Sequence, residues 1–346
     1  MVSIKTIAEE CGVSIATVSK ALNNHNDVGE ATKRLVCETA KRLGYFPNVQ
    51  ARELKTNKTF NLGVLLDDKA KSGLTHCFFS VVLDGFRVEA DRLGYDITFI
   101  SGHIGGSQMS YYDHCLYRKV DGVLAACVDF YGRGVRELMG SDIPLVSIDF
   151  KSENGYSVTS DNEKGIETLV KYAYECGHKK IAYIYGDSSQ VTTIRLNSYI
   201  DTMKKLGLQV QPDYFRQGKH LDAALTEKLV LEMFKLFDPP TCILLPDDVS
   251  SIGAINAAKK VGKSVPDDIS IIGYDGIFMT QIITPTLTTY YQDAYEIGRA
   301  AAEMLIKIIK KEEFILPPFL HHHVLKSCLN HLLQQHLLIL KFFEHP

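Results

Sequence analysis

The chain has 346 residues, 45% apolar and 23% charged, the make-up of an ordinary globular protein too long for a single hydrophobic core. Its formal charge of −3 is unevenly spread: residues 1–60 hold nine Lys/Arg and six Asp/Glu, net +3, leaving 29 against 35, net −6, for the rest. A basic head on an acidic body suggests a polyanion partner for the head alone, while the lack of an apolar leader or of a run of about 18 uncharged apolar residues excludes a membrane partner and points to the cytoplasm.

In chain order, Ile4, Ile7, Ala8 and Cys11 recur at helical spacing behind a capping Ser3, and Gly12 ends that helix. Ser14 caps a second, Ala16 to Leu22, across a three-residue glycine-led turn, which is the spacing of a helix-turn-helix. A third helix, roughly Glu30 to Leu43, is expected to turn Leu35, Val36, Thr39, Ala40 and Leu43 inward and to stop at Gly44. Pro47 breaks the chain, and NVQARELKTNKT has the composition of a linker. Beyond it, FNLGVLL, YDITFIS, VDGVLAACV, IPLVSIDF, KKIAYIYG, TCILLPD and ISIIGYD read as strands. They alternate with helical stretches such as FFSVVLDGFRVEADRLG, GIETLVKYAYECG, IRLNSYIDTMKKLG, LTEKLVLEMFKLF and IGAINAAKKVG. That alternation implies parallel sheets with helices on both faces, and its restart near residue 160 implies two similar lobes.

The eight cysteines are dispersed without CxxC or zinc-like spacing, so they read as buried or free thiols in a reducing compartment. His321, His322 and His323 alternate faces if they lie on a strand and cannot converge on a metal. No nucleophile elbow, phosphate loop or HExxH occurs, so neither an enzyme nor a cofactor is expected.

The stretches IKTIAEECGVSIATVSKALNN, GYFPNVQARELKT, SDNEKG, ECGHKKIAYI, LLPDDVSSIGA and GYDGIFMTQIITPTLTTYYQ stand in family order. Over roughly residues 3–328 the chain resembles the LacI/GalR family of bacterial transcription regulators. The resemblance implies an all-α helix-turn-helix head and an α/β two-lobed body with parallel sheets, like a periplasmic sugar-binding protein. The implied divisions are a head over 1–46, a hinge over 47–60, and a first lobe over 61–160 with about 292–320. A second lobe over 161–291 with about 321–328 and a divergent tail over 329–346 complete the chain.

A helix entering the major groove must not turn carboxylates toward phosphate, and Ser14 to Leu22 contains none. By the family pattern Ile15, Ala16 and Lys20 face base edges, Ile15 and Ala16 against thymine methyls and Lys20 toward a guanine. Thr17 and Ser19 contact phosphate or cap the helix, while Val18 and Leu22 face the core. Residues 48–56 are too few for a stable lone helix. In the family this hinge folds when two copies pair on DNA, so Leu54 would wedge into the minor groove, Ala51 would let the helices approach, and Arg52 and Lys55 would lie near phosphates.

A clamp for a small polar ligand wants carboxylates, an arginine fork and an aromatic floor at strand ends. Asp275 and Arg195 match ligand-contacting positions of the family. Asp149 and Asp247 fall where members place polar contacts, although Asp247 reads equally as a helix cap. Phe79, His76 and His220 occupy positions that vary with the effector. Asp161 and Asn162 are expected to fix the crossover between lobes, and Asp248 to cap the helix that follows it. Gly276 stands where the family often has an acid, Lys326 where it commonly has arginine, and the ending HLLQQHLLILKFFEHP is unlike the usual one. The implied partners are double-stranded operator DNA, a sugar-like effector and a second copy of the chain, with a tetramer possible through the leucine-rich tail. The rival readings are a sugar-binding or enzymatic protein built on the same body, and a regulator whose effector is a partner protein.

Overall fold

The structure is a computed structural model that describes residues 2–45, 58–68, 71–153, 155–313 and 323–325. It divides into two units, Met1–Thr59 and Phe60–Pro346.

In the first unit, helix α1 (Ile4–Cys11) opens on a capping box in which Ser3 and Thr6 satisfy each other's backbone N–H, and it ends on Gly12 at φ 62°. Ser14 Oγ accepts from Thr17 N at 3.0 Å and starts α2 (Ile15–Leu22) one residue earlier than the pattern predicts. Helix α3 (Glu30–Arg42) closes the unit. Ile7, Ala8, Val18, Ala21, Val28, Val36 and Ala40 form its core. Leu35, expected inward, is 47% exposed. The buried stripe of α3 is Lys33, Val36, Thr39 and Ala40, and Leu35 lies one residue, about 100°, off it. Lys33 buries its aliphatic stem and keeps its ammonium on Glu30 at 2.9 Å.

The second unit begins with β1 (Asn61–Leu66), α4 (Cys77–Arg92), β2 (Asp96–Ile100) and a small hairpin of β3 (His103–Ile104) and β4 (Ser107–Gln108). It continues through α5 (Tyr111–Arg118), β5 (Gly122–Ala126), α6 (Arg133–Met139), β6 (Leu145–Ile148) and β7 (Tyr156–Val158). These strands form an all-parallel sheet in the order β2-β1-β5-β6-β7. Strand β5 is buried along its whole length, as an apolar run covered by helices on both faces must be.

The chain then crosses to α7 (Asn162–Glu175), β8 (Ile181–Tyr185), α8 (Gln190–Lys205), β9 (Phe215–Gln217) and α9 (Ala223–Met233). After these come β10 (Cys242–Leu244), α10 (Asp248–Lys260), β11 (Ser270–Asp275) and β12 (Thr288–Tyr291). The last two described elements are α11 (Ala294–Lys310) and β13 (His323–Leu325). The second sheet runs β13-β12-β11-β10-β8-β9, parallel except for the antiparallel edge strand β13. Helix α11 returns to the first sheet, where Ile297, Ala301, Ala302 and Leu305 join the core built by Leu62, Val82, Phe86 and Leu124. Each lobe therefore has its own core.

Helices α4 and α11 touch backbone to backbone. A Cβ on Gly298 would stand 1.8 Å from the Val82 carbonyl oxygen, and one on Gly85 2.1 Å from that of Tyr295. Because backbone cannot swing aside, Gly298→Ala is expected to cost about 3 kcal/mol, read as a lowered denaturation midpoint.

Candidate functional site

On α2, Ile15, Ala16 and Lys20 are exposed, Thr17 and Ser19 half-buried, and Val18 buried. Ile15, 52% exposed, is an apolar side chain held at the surface with no core to fill. Lys20 Nζ pairs with Asp27, both about half exposed, and that contact holds the Asp27 carboxyl below its usual range. Ala51, Arg52, Leu54 and Lys55 lie outside the described residues, as do His321, His322, Lys326 and the tail over 329–346.

The seven residues singled out for the ligand line one cavity of about 240 Å³ between the lobes of the second unit. His76, Phe79 and Asp149 come from the first lobe, and Arg195, His220, Asp247 and Asp275 from the second. Arg195 is the hub. Only 5% exposed, it donates from Nε to Asn162 Oδ1 at 2.7 Å and from an Nη to the Pro246 carbonyl at 3.1 Å. Its guanidinium carbon stands 3.5 Å from the centre of the Tyr274 ring. Asp149 and Asp275 flank it, and burial pushes both carboxyl groups up while the arginine pulls them back.

Both aspartates sit on strained backbone. Asp149 adopts φ 56° after β6, and Asp275 φ 105° at the end of β11. Cys127 and Leu221, also in the cavity lining, share the left-handed region. Non-glycine residues held there collect at functional sites, where the surroundings over-determine them. Asp149 is fixed by its N–H on the Val158 carbonyl and by Ser160 N donating to its Oδ1 at 3.1 Å. Asp275 is fixed by Gln292, whose Nε2 donates to Oδ1 at 2.7 Å.

Asp247, only 2% exposed, caps α10. Its Oδ1 accepts from Ser250 N at 2.8 Å, and its Oδ2 accepts from Ser250 Oγ at 2.9 Å and from Leu221 N at 3.0 Å. Asp248, expected to be that cap, is instead the first helical residue, and its fully buried carboxylate accepts from Thr289 Oγ1 at 2.6 Å and Ile277 N at 2.9 Å. The cap falls one residue earlier because Asp247 has the extended backbone a cap needs. Asp161 caps α7, and Asn162 spans Ser160 and Arg195, so both hold the crossover. Gly276 has φ 72° and lies where a Cβ would meet the Tyr291 backbone at 2.8 Å, so no acid fits there.

His76 caps α4 by accepting from Phe79 N at 3.3 Å, and its ring meets that of Phe79 edge-on at 4.8 Å. Burial pushes its pKa down, which keeps it a neutral acceptor. His220 leans on Asp187, which accepts from His220 N at 3.1 Å. Sequence reasoning missed Gln292, Asp187 and the stacked rings of Phe130 and Phe150, whose centroids are 4.3 Å apart. Gln292 closes the quoted stretch ending TTYYQ and carried a signal; the phenylalanines, in different loops, carried none.

Burial also pushes Asp248 up to about 7 from an ordinary 3.8. Between those values the folded protein holds a proton that the unfolded chain has lost, so stability falls as pH rises through the window and levels off above it. The melting temperature is expected to fall between roughly pH 4 and pH 7 and to level off above, and Asp248→Asn to flatten that slope; a parallel slope in the variant would contradict it.

An exposed, acid-free helix in a three-helix head, on one chain with a two-lobed clamp around a cavity of small-molecule size, defines a ligand-responsive DNA-binding protein. Residues 3–48 match the bacterial regulatory proteins of the lacI family, and residues 170–321 a periplasmic binding protein-like domain. The HTH-type transcriptional repressor CytR of Escherichia coli (strain K12) is 32% identical over 308 residues, 88% of this chain and 89% of that protein. PurR of Vibrio vulnificus (strain CMCP6), also an HTH-type transcriptional repressor, is 31% identical over 320 residues, 90% and 93% of the two chains. Among solved structures, the Lac repressor dimer bound to operator and the anti-inducer ONPF superposes with a TM-score of 0.79 at 24% identity, over 94% of this chain and 98% of that one. A complex of the regulator CelR with cellobiose gives 0.66 at 21%, over 94% and 99%. The chain belongs to the LacI family. It is a helix-turn-helix transcriptional regulator, in a family of DNA-binding repressors and not of enzymes. No helix among the described residues is long and apolar enough to cross a membrane.

Proposed function

We propose that the protein represses a metabolic operon, of carbohydrate or related use, by binding a near-palindromic operator as a homodimer, and that a small ligand held between its lobes gates that binding. The observation that carries the reading is the buried Arg195, clasped by Asn162 and Pro246 and flanked by two strained aspartates in a cavity of small-molecule size. The return of α11 to the first sheet and of β13 to the second supports lobes over 61–160 with about 292–320 and over 161–291 with about 321–328. Ile15, Ala16 and Lys20 read bases, with Thr17 and Ser19 at phosphate, and Leu54 wedges the minor groove beside Ala51, Arg52 and Lys55. A cavity of this size favours a small molecule over a partner protein as effector.

Leu54→Ala is expected to weaken operator binding at least ~10-fold, because the bend that the wedge pries open is lost. The reading as a whole is tested by selecting operators from a randomised near-palindromic pool by fluorescence anisotropy, with and without a panel of sugars and nucleosides. Enrichment of a symmetric site whose affinity one ligand changes is the expected result. Binding that is only salt-sensitive and sequence-blind would overturn it.

A further inference from the structure

Helix α2 carries no acid, yet the chain brings one back to it. Asp27 is the lone carboxylate between Cys11 and Gly29, and its Oδ2 takes the Nζ of Lys20, the lysine proposed above to read bases. Local contacts fix where Asp27 stands. Asn23 Nδ2 donates to the Ser19 carbonyl at 2.7 Å, and His25 N donates to that of Lys20 at 3.0 Å. Asn24 turns the chain at φ 55°, and Val28 is buried in the core of the head. The loop between α2 and α3 therefore delivers its carboxylate to the exposed side chain of Lys20.

An ion pair this exposed adds little to the stability of the head, whereas a carboxylate close to phosphate weakens DNA binding. What Asp27 can supply is control of Lys20. A free lysine ammonium is a point charge on a flexible stem that takes any phosphate within reach, and phosphate carries no sequence information. Held by Asp27, Lys20 keeps its remaining N–H donors, and guanine presents a pair of acceptors, O6 and N7, on its major-groove edge. At a guanine the ion pair can stay intact while those donors are used. At a base without that acceptor couple, the repulsion between Asp27 and phosphate goes without compensation.

We infer, granting that α2 lies in the major groove as proposed above, that Asp27 is a positioning residue for specificity: it holds Lys20 off phosphate and turns it to a guanine, and so weakens binding to DNA at large more than binding to the operator.

The test is Asp27→Asn in the full-length protein, followed by fluorescence anisotropy over a salt series. The probes are the symmetric duplex enriched from the randomised pool and a random-sequence duplex of equal length. With Lys20 released, random DNA is expected to bind ~5-fold tighter and its slope of log K against log salt to steepen by about 1. Lys20→Met identifies the guanine by the preference it loses. Replacing that guanine is expected to cost the wild type at least ~10-fold in affinity and the Asp27→Asn protein no more than ~3-fold. In the Lys20→Met background, Asp27→Asn is expected to leave the base preferences unmoved. Equal tightening on both duplexes, with the guanine preference kept, would overturn the inference and leave Asp27 a solvated surface acid. Weaker binding to both, in a variant whose thermal unfolding matches wild type, would overturn it by placing Asp27 itself on the DNA. An operator with no guanine dependent on Lys20 would overturn it as well. Selection of no symmetric site by the wild type would instead overturn the reading of the head, before any variant is compared.

Discussion

Arg195→Met is expected to abolish the response of operator binding to ligand and to destabilise the second unit by about 3 kcal/mol, the cost of breaking a buried charge cluster from one side. The arginine makes three kinds of contact at once: hydrogen bonds to Asn162 and Pro246, the face of Tyr274, and the charges of Asp149 and Asp275. Asn162 belongs to the crossover between lobes and Pro246 to the turn before α10, so one side chain ties that crossover to the cavity floor. Methionine keeps much of the stem's volume but removes the charge. Asp149 and Asp275 would then titrate higher still, and the stability of the variant would fall more steeply than wild type as pH rises above the ordinary carboxylate range. Thermal unfolding across pH, together with anisotropy on operator with and without ligand, reads both effects. Full ligand response in a folded Arg195→Met protein would remove Arg195 from the site.

Ala16→Glu should separate folding from DNA reading. Ala16 is exposed on α2 and near its N-terminus, where a carboxylate is favoured by the helix dipole, and Lys20 lies four residues on. The head should therefore keep or slightly gain stability, by a few tenths of a kcal/mol. A glutamate there would nevertheless face DNA phosphate and compete for Lys20, which Asp27 already holds in the free head. Operator affinity is expected to fall at least ~100-fold, with ligand binding by the body unaffected. A modest loss, similar on specific and random DNA, would mean that α2 does not lie in the groove.

Where the hydrophobic pattern carried the information, the sequence was a good guide. Ser3, Gly12 and Ser14 mark the head helices because caps and stops are local chemistry, and the apolar runs mark the central strands of both sheets. The errors came where one residue of register decided the outcome. Leu35 and Val36 are both apolar, and only the packing of the other helices selects Val36; Asp247 and Asp248 are both capable caps, and only backbone geometry selects the first. Strand β12, with the sequence TTYY, carries no apolar pattern because Thr289 is buried through its bond to Asp248 and not by hydrophobicity. Helix α11 does carry a local signal, since Ile297, Ala301 and Leu305 repeat at helical spacing. In the cleft, the family pattern led to seven residues that share one cavity; the Phe130 and Phe150 stack, contributed by two loops, was beyond any local pattern.

The most direct test is reciprocal linkage. If ligand and operator are coupled through one conformational equilibrium, saturating ligand must change the operator dissociation constant by the same factor by which saturating operator changes that of the ligand, in either direction. Both constants, measured on wild-type protein under one salt condition, are expected to shift equally and by at least ~5-fold, the lower end of ordinary allosteric coupling. An operator affinity that does not move when the cleft is saturated would contradict a ligand-gated regulator.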